Sequence, residues 1–324
     1  MRRKERMRTS LAVIGAGLAG LTAAQRLIRR GFAVQVFDKG RGAGGRMSTR
    51  REDRDGRNLF FDHGAQYFTV RDRRFAAQVA TWEAQGLVAP WPQAGPQAYT
   101  GTPMMCAPLV DMAQAVGVQF GVRIDAVVRD GDGWQLVGEQ GRFGPFDAVI
   151  VALPAEQAAD LLHWPAPELA ATAARQRSQP CWTTLVSLSA PLPGHAAVTR
   201  PKDPVLAWIA DNSSKPGRTA ESAWVLQSTP DWAADNLDLG REDAASAMMT
   251  AWQGVIGHDL PPAAFVRGHL WRYARSPGSG DGFLWSDDQR LGVCGDWLIG
   301  PRIEAAWLSG WRLAEIIRPV RPAP

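Results

Sequence analysis

One glycine-rich turn near the start of the chain constrains the possible folds more than any other feature. The apolar run Leu11-Ala12-Val13-Ile14 enters Gly15-Ala16-Gly17-Leu18-Ala19-Gly20, and apolar residues then repeat at helical spacing as far as Arg30. Gly31 stands where a helix C-cap belongs, and the segment from Ala33 to Phe37 is typical of a second buried strand. The sequence therefore predicts a β-α-β unit with two parallel strands.

Each glycine of this turn has a separate task in a dinucleotide-binding unit. Gly15 permits the tight turn, Gly17 lets the backbone approach a pyrophosphate, and Gly20 allows the helix to pack closely on the strand. The pyrophosphate would rest on the helix N-terminus. Asp38 follows Gly20 by 18 residues, about where an acid accepts a hydrogen bond from a ribose 2′-hydroxyl and repels a 2′-phosphate. The pattern predicts an adenine dinucleotide and disfavours NADP.

The first residues allow an alternative interpretation. Arg2, Arg3 and Lys4, followed by the apolar segment from Leu11 to Ala24, resemble the charged and apolar regions of a secretory signal peptide. Glycines interrupt this segment at the dinucleotide spacing, and it continues into an amphipathic helix, so cleavage there would destroy the fold. We therefore predict that residues 1–9 form a disordered basic tail and that the protein is cytoplasmic.

Composition fits a two-domain enzyme without membrane spans or metal sites. The 324 residues suffice for two domains with substantial cores, and no apolar run approaches the roughly 18 residues of a membrane helix. The cysteines are odd in number and scattered, and the histidines show no ligand spacing, so we predict reduced thiols and no metal. These residues are Cys106, Cys181, Cys294, His63, His163, His195, His258 and His269.

The distribution of charge argues against a nucleic-acid partner, although the net charge is +4. Residues 1–61 carry 15 Lys or Arg and 5 Asp or Glu, whereas residues 155–285 carry 10 basic and 13 acidic residues. Positive charge is thus concentrated where phosphates of a cofactor need neutralisation, and no basic and aromatic stripe follows. The run from Arg50 to Arg57 interleaves both signs and is typical of a solvated loop.

A second glycine cluster favours FAD over a nicotinamide cofactor. The segment from Asp38 to Met47 contains paired glycines for close backbone approach and Arg46 to neutralise phosphate, which a nicotinamide dehydrogenase does not require. Near the other end, the segment from Leu291 to Asp296 is typical of a short strand ending in an acid that can bind a ribityl hydroxyl. A helix to about Ile317 follows, and its N-terminus would favour negative charge on reduced flavin.

Stretches distributed over nearly the whole chain resemble the flavin amine oxidase superfamily and, within it, the bacterial renalases. They comprise residues 10–46, Asp62-His63-Gly64-Ala65-Gln66-Tyr67-Phe68-Thr69, Val151-Ala152-Leu153-Pro154 and Gly295-Asp296, supported by Asp72-Arg73-Arg74-Phe75, Ser214-Lys215-Pro216-Gly217-Arg218 and Trp271-Arg272-Tyr273-Ala274-Arg275. The resemblance implies flavin contacts from Ala19, Asp38, Arg46, Gln66, Tyr67 and Asp296.

Motifs and resemblance together predict a noncovalent FAD site. Its residues are Gly15, Gly17, Ala19, Gly20, Asp38, Lys39, Arg41, Gly44, Gly45, Arg46, Gln66, Tyr67, Phe68, Gly295, Asp296, Arg302, Ile303, Glu304 and Ala305. Fourteen tryptophans are many for this length, and flat aromatic walls suit a nicotinamide or amine stacked on flavin, although core packing is the alternative for each tryptophan. The substrate candidates are Tyr67, Phe68, Trp182, Trp271 and Arg272, and no side chain is predicted to be catalytic.

The resemblance implies an α/β fold in which a discontinuous Rossmann-like FAD-binding domain accompanies an α+β substrate domain with a mixed or antiparallel sheet. The FAD-binding domain would comprise residues 1–60, 105–154 and 286–324, and the substrate-binding domain residues 61–104 and 155–285. Periodicity predicts further elements near Arg74–Gln85, Gln119–Ile124, Trp134–Val137, Ala148–Leu153, Trp182–Ser189, Val205–Ala210, Trp224–Ser228, Arg241–Val255 and Phe265–Tyr273.

The renalase resemblance implies oxidation of isomeric dihydronicotinamide dinucleotides, reduced at the 2-position and less readily at the 6-position, to NAD(P). Flavin N5 takes the hydride, and molecular oxygen then gives hydrogen peroxide. Aromatisation drives the transfer without a side-chain base, so the protein must mainly stack, orient and exclude water. The substrate would be a small dinucleotide or amine, and the oligomeric state is not indicated.

Three alternatives stay open. A conventional amine or amino-acid oxidase shares the cofactor framework, and many such enzymes use a lysine to hold water near flavin N5; only Lys202 and Lys215 could serve. Cys294 has no evident match to the covalent flavin cysteine of some monoamine oxidases. A redox sensor with structural FAD would turn over slowly with every donor, and a nicotinamide-dependent dehydrogenase would be colourless.

Overall fold

The structure is a computed structural model that describes residues 8–54, 57–192, 194–219 and 222–320. Its helices are α1 (Leu18–Arg29), α2 (Arg73–Ala84), α3 (Ala107–Val116), α4 (Ala155–Leu162), α5 (Pro167–Ala174), α6 (Pro230–Asp235), α7 (Arg241–Ile256) and α8 (Ile303–Ile316). Its strands are β1 (Ser10–Ile14), β2 (Ala33–Asp38), β3 (Thr49–Arg54), β4 (Arg57–Asp62), β5 (Val88–Pro90), β6 (Tyr99–Gly101), β7 (Gln119–Phe120), β8 (Ala126–Asp130), β9 (Gly133–Gly138), β10 (Gly141–Phe146), β11 (Ala148–Val151), β12 (Gln179–Leu188), β13 (Val198–Thr199), β14 (Leu206–Asp211), β15 (Trp224–Ser228), β16 (Ala263–Arg275), β17 (Leu284–Ser286) and β18 (Leu291–Val293).

The first of two compact units consists of residues 1–45, 109–177 and 276–324. Its six-stranded sheet has the order β17-β18-β11-β1-β2-β7, in which every pairing is parallel except that of the edge strand β17. The pairing of Ser10 with Ala33 and of Ile14 with Phe37 confirms the predicted β-α-β unit. A three-stranded antiparallel sheet, β10-β9-β8, belongs to the same unit. The strands β1 and β11 are almost wholly buried, as expected of central parallel strands.

The second unit consists of residues 46–108 and 178–275. Its five-stranded antiparallel sheet has the order β13-β14-β15-β12-β16, and two hairpins, β3–β4 and β5–β6, belong to the unit as well. Helix α7 packs on this sheet because Ala244, Met248 and Trp252, at helical spacing, share a hydrophobic core with strands β12, β14 and β15. The fold class predicted from the sequence, α/β with a second unit built on an antiparallel sheet, is confirmed.

The unit boundaries differ from the predicted domain segments in four places. Residues 46–60 and 105–108 belong to the second unit, and residues 155–177 and 276–285 belong to the first. Residues 50–54 and Arg57, interpreted above as part of a solvated loop, are instead strand residues of the hairpin β3–β4, whose register runs from Thr49↔Asp62 to Arg54↔Arg57. Residues 55 and 56 of that segment lie outside the described residues. Helices α4 and α5 contribute Leu162 and Ala173 to the core beneath the parallel sheet. These differences arise because the core contacts of short segments are set by residues distant in sequence.

The predicted basic tail lies mostly outside the described residues, which begin at Arg8. Thr9 is described and does not belong to a tail, since its carbonyl accepts a hydrogen bond from Ala33 N at 3.0 Å and its hydroxyl accepts one from Val320 N at 2.9 Å. Across the described part of the chain, no helix combines the length and the apolar character needed to cross a membrane.

Candidate functional site

The glycine turn between β1 and α1 has the close approaches that its spacing predicts. Gly15 has φ +106°, and a Cβ there would lie 2.5 Å from the carbonyl oxygen of Ala152 at the end of β11. A Cβ on Gly20 would lie 2.0 Å from the carbonyl oxygen of Gly15. Both positions therefore require glycine for the packing of the protein itself.

Gly17 differs from these two glycines because nothing lies within 4 Å of the Cβ it would carry. It is the N-cap residue of α1, and no side chain among the described residues caps this helix end. The space beside Gly17 is therefore open, and the N-terminus of a helix is a favourable place for an anion. Gly45 stands opposite, with φ +50° and its Cβ position 3.7 Å from Gly17 Cα.

Asp38 ends β2 and holds the turn in place. Its Oδ2 accepts a hydrogen bond from Ala16 N at 2.7 Å, and its Oδ1 accepts one from Gly40 N at 2.6 Å. A carboxylate offers about four lone-pair sites, so each oxygen keeps one for a ribose hydroxyl. Asp38 therefore joins both glycine clusters and can still accept a hydrogen bond from a ribose hydroxyl, as the sequence predicts.

The remaining charged residues of the second glycine cluster lie towards solvent. Lys39 is exposed, and its Nζ donates to Gln157 Oε1 at 3.3 Å. Arg41 is exposed as well and lines a cleft of about 350 Å³ together with Val110 and Phe120. Gly44 is buried, with φ +143°. Lys39 and Arg41 are therefore exposed at the surface and do not lie inside the glycine turn.

At the other end of the first unit, β18 leads into the predicted Gly295-Asp296 block. Gly295 N donates to Ser309 Oγ of α8 at 3.0 Å, and the buried Asp296 starts a single 3₁₀ turn through Leu298. Burial raises the pKa of the Cys294 thiol to about 12, so this thiol stays protonated and poorly nucleophilic. The state of Cys294 supports noncovalent binding of a cofactor.

Helix α8 begins after Arg302, and Gly310 lets it approach another helix closely. A Cβ on Gly310 would lie 2.1 Å from the carbonyl oxygen of Ala19 in α1. In the first turn, Glu304 and Ala305 are buried, Ile303 is half-buried, and Arg302 Nη1 lies 3.5 Å from Glu304 Oε2. The close packing of α8 on α1 fixes the positions of both helix N-termini.

In the second unit, two segments that the sequence analysis singled out separately meet in a buried ionic cluster. Lys215 Nζ donates to Asp62 Oδ2 at 2.8 Å, and Arg218 Nη2 donates to the same oxygen at 2.6 Å. Asp62 Oδ1 accepts from Thr49 Oγ1 at 2.6 Å and from Met105 N at 3.1 Å. The side chains of Lys215 and Asp62 are fully buried, and that of Arg218 is 2% exposed.

The charges of this cluster govern its protonation. Burial alone would raise the pKa of Asp62, but the positive charges of Lys215 and Arg218 lower the pKa to about 2. Burial lowers the pKa of Lys215 to about 8 despite the attraction of Asp62. Asp62 is therefore ionised at neutral pH. The sequence did not reveal the cluster, because Lys215 and Arg218 lie 153 and 156 residues from Asp62.

Gln66 and Phe68, which the sequence predicts as flavin contacts, belong to the second unit, and their side chains are buried. Gln66 Oε1 accepts from Asn212 Nδ2 at 3.1 Å and from Lys215 Nζ at 3.2 Å, and its Nε2 donates to the carbonyl of Asp62. Phe68 is 4% exposed and packs against the rings of Phe75 and Tyr99. Their side chains thus hold the loop, and a flavin contact from this segment would come from its backbone or from Tyr67.

Tyr67 is half-buried and stacks on Trp208, with ring centroids 5.4 Å apart and planes inclined by 19°. The guanidinium of Arg200 covers both rings, with its Cζ 4.5 Å from the Trp208 centroid and 5.9 Å from that of Tyr67. Arg200 Nη2 also donates to the carbonyl of Ala94 at 3.1 Å. The sequence did not indicate Arg200, and Trp208 entered only as one of the fourteen tryptophans, because nothing in the local pattern links these two residues to Tyr67.

The other substrate candidates separate by burial. Trp182 is 2% exposed, lies in the core of the second unit and donates its indole N–H to the carbonyl of Asn236 at 2.9 Å, so its position fits packing rather than substrate contact. Trp271 is half-buried on β16, and Arg272 beside it is exposed. Arg46 Nη1 donates to the carbonyl of Ala274 at 3.3 Å, within the second unit.

Trp271 belongs to a ring cluster with two histidines. Its centroid lies 5.1 Å from that of His63 and 4.7 Å from that of His269, and its Nε1 donates to the carbonyl of His63 at 2.8 Å. Burial lowers the pKa of both His63 and His269 to about 4. Both imidazoles are therefore neutral at physiological pH.

Acidification is expected to destabilise the protein through these two histidines. Below pH 6.5 an unfolded chain takes up protons that the folded chain refuses until about pH 4, so the free energy of unfolding falls with pH across this window. For His63 alone the loss between pH 6.5 and 5 is about 2 kcal/mol. Urea denaturation at both pH values checks this, and His63→Phe, which keeps a ring but cannot titrate, should lose much of the pH dependence. An unchanged pH dependence in His63→Phe would exclude His63 as its source.

The described residues contain no group of three or more His, Cys, Asp or Glu side chains that could hold a metal ion. The first unit instead fits a dinucleotide. The open space at Gly17, the N-terminus of α1 and the remaining acceptor sites of Asp38 form a cradle for pyrophosphate and ribose. The donor set therefore agrees with the adenine dinucleotide predicted from the sequence.

Two sequence families match the chain. The family described as NAD(P)-binding Rossmann-like domain matches residues 13–84, and the family described as flavin containing amine oxidoreductase matches residues 97–318. The second match covers more than half of the 324 residues. Both fit the elements described above, since residues 13–84 contain the glycine turn.

Individual proteins are also similar to this chain, in sequence over a short segment or in fold. The 4,4′-diapophytoene desaturase (4,4′-diaponeurosporene-forming) of Staphylococcus haemolyticus is 42% identical over 62 residues, which are 19% of this chain and 12% of the desaturase. The chain thus spans a small part of the length of this relative. The structure of putrescine oxidase superposes on this chain with a TM-score of 0.73 and 13% sequence identity. Cyclohexylamine oxidase from Brevibacterium oxydans gives a TM-score of 0.70, also with 13% sequence identity. Each comparison covers 95% of this chain and 98% of the other, so these enzymes share its fold.

Proposed function

Because the chain belongs to the flavin-containing amine oxidoreductases, whose cofactor is FAD, we propose that it is an FAD-dependent oxidase of the renalase type. Its substrates would be isomeric dihydronicotinamide dinucleotides, reduced at the 2-position, with the 6-position isomers as poorer substrates. The products would be NAD(P) and hydrogen peroxide. A cytoplasmic location stays a prediction from the sequence.

The observation that supports an anionic substrate over a cationic amine is the guanidinium of Arg200 on the Tyr67–Trp208 stack. Tyr67 adjoins the motif that resembles the flavin contacts of the family, and Arg200 places a permanent positive charge 5.9 Å from its ring centroid. An arginine held over aromatic faces is suited to phosphate, whereas it would repel an alkylammonium ion. We therefore propose that Arg200 receives a phosphate of the dinucleotide.

The two candidate lysines also disfavour the conventional amine oxidase. Lys202 is exposed, and Lys215 is fully buried with its ammonium bonded to Asp62 and Gln66 and 4.7 Å from the centroid of the Trp91 ring. Neither resembles a lysine that holds a water molecule for a reacting amine. The amine oxidase stays an outcome of the experiment below.

The tasks of this chain in the proposed reaction are to bind and to orient. When bound, FAD supplies the two-electron acceptor and passes the electrons to molecular oxygen. The N-terminus of α1 with Gly17 would hold the pyrophosphate, and Asp38 would accept a ribose hydroxyl. Arg200 and Tyr67 would fix the substrate, and aromatisation of its ring removes the need for a side-chain base.

Anaerobic mixing of the FAD-loaded protein with single donors tests the proposal. We expect 2-dihydro-NAD to bleach the flavin absorbance rapidly, whereas putrescine and other amines leave it unchanged. Bleaching by an amine alone would instead establish the amine oxidase. Slow reduction by every donor would indicate a redox sensor. A protein that is colourless when purified would contradict all three interpretations, because each of them requires bound FAD.

A pair of arginine variants controls this experiment. Arg200→Gln should raise the KM for the dinucleotide about 10- to 100-fold, the effect of losing a charged hydrogen bond, and should weaken its dependence on salt. Arg129→Gln is the matched control, because Arg129 likewise covers an indole ring, that of Trp134 at 4.6 Å, on the surface of the first unit. Equal effects of the two variants would contradict the role proposed for Arg200.

A further inference from the structure

Two loops of the second unit leave the same end of one antiparallel strand pair. Strand β12 ends where β16 begins, since Leu188 pairs with Ala263 and Ser189 N donates to the carbonyl of Pro262 at 2.8 Å. The loop after β12 contains His195, and the loop before β16 contains His258. The sheet therefore brings together two histidines that are 63 residues apart in the sequence.

The two imidazoles meet through their tips. The distance between His195 Nε2 and His258 Nε2 is 3.1 Å, whereas the ring centroids are 5.2 Å apart. The two nitrogens therefore face each other, and the rest of each ring points away from the contact. His258 is exposed, and His195 is half-buried. Solvent therefore reaches both residues, at least in part.

Hydrogen bonding determines which nitrogen of His258 can act as a ligand. Its Nδ1 lies 2.9 Å from the carbonyl oxygen of Asp259, which can only accept, so Nδ1 carries the proton. The Nε2 of neutral His258 therefore has a free lone pair, the arrangement found in metal-binding histidines whose other nitrogen donates to a carbonyl. In the absence of metal, His195 Nε2 donates its proton to that lone pair.

We propose that His195 and His258 form a surface site for a divalent transition-metal ion. Two nitrogens bound to one ion at about 2.0–2.1 Å are about 2.9–3.4 Å apart for angles of about 90–110°, a range that includes the observed 3.1 Å. Binding requires only that the His195 proton move from Nε2 to Nδ1. Water completes the coordination, and imidazole ligands favour Cu²⁺, Ni²⁺ and Zn²⁺.

One leucine near each histidine packs against the protein core. Leu192, three residues before His195, and Leu260, two residues after His258, pack against the core of the second unit. Gly257 closes α7 in the left-handed conformation with φ +79°, directly before His258. An ion would therefore join two segments that are already in place, and this site is independent of the proposed reaction.

Calorimetric titration of the FAD-loaded chain, without a histidine tag, with Cu²⁺ and Zn²⁺ tests the proposal. We expect one ion per chain, tighter binding of Cu²⁺ than of Zn²⁺, and a higher melting temperature with metal. His195→Gln and His258→Gln should each weaken binding more than about tenfold. The nitrogen hyperfine pattern of bound Cu²⁺ should show two ligand nitrogens, and one in either variant.

His163→Gln is the control, because His163 is a lone exposed histidine in the first unit. It should bind metal like the unaltered protein, and all variants should melt at the same temperature without metal. Binding that survives the double variant His195→Gln/His258→Gln, or a lack of stoichiometric binding, would overturn the proposal. Neither result would affect the test of the oxidase, which measures flavin reduction.

Discussion

Replacing Gly17 with alanine is expected to give a folded protein that does not retain FAD. The added methyl group meets no protein atom within 4 Å, and the φ of −74° at this position suits alanine, so the fold has no reason to change. The methyl group would occupy the space in which a pyrophosphate approaches the N-terminus of α1. Purified Gly17→Ala should therefore be colourless, with an affinity for FAD lowered at least about 100-fold in fluorescence titrations.

Two glycine variants separate this effect from a loss of folding. Gly254→Ala, inside α7, also meets nothing within 4 Å and should retain FAD and gain about 0.5–1 kcal/mol of stability. Gly20→Ala should misfold, since its methyl group would lie 2.0 Å from the carbonyl oxygen of Gly15. Normal FAD content in Gly17→Ala would show that the cofactor does not lie on this turn.

Asp62→Asn should remove about 3–5 kcal/mol from the free energy of unfolding. The substitution keeps the size of the side chain but removes the negative charge between Lys215 and Arg218, which leaves two buried cations without a counter-ion. It also weakens the hydrogen bond that holds Gln66, because Lys215 donates to both Asp62 and Gln66. Urea denaturation of the FAD-loaded protein at pH 7 measures the loss.

Asp72→Asn is the matched control for this charge change. The pKa of Asp72 is also lowered to about 2, chiefly by hydrogen bonding to Arg74, but this pair is on the surface. Asparagine caps the N-terminus of α2 about as well as aspartate, so the expected loss is about 0–1 kcal/mol. Equal losses in Asp62→Asn and Asp72→Asn would contradict the importance of burial.

The sequence predicted the first unit well where short-range rules apply. The strand, turn, helix and acid from Ser10 to Asp38 follow from residue spacing alone, because the apolar periods and the glycine turn that define them lie in one continuous segment. The block after β18 was found in the same way, but residue spacing did not reveal that Gly310 makes the close contact of α8 with α1.

The second unit was harder to predict because its chemistry depends on distant pairs. Periodicity located β12, β15 and α7, but it could not show that Asp62 meets Lys215 or that His195 meets His258. The hairpin β3–β4 was missed because charged residues alternate along it, a pattern that solvated loops share. Burial, which decides whether a tryptophan such as Trp182 packs or binds, is also a property of the whole fold.

The contact between Gly310 and the carbonyl of Ala19 has a consequence for biosynthesis. These residues are 291 positions apart, so a ribosome adding about 5–20 residues per second needs about 15–60 s to make the second after the first. Throughout that interval α1 lacks the helix that packs on it in the folded protein, and exposed apolar surface of this kind favours aggregation. The nascent chain can therefore complete the packing of α8 on α1, and with it the proposed FAD site, only after Gly310 has been made.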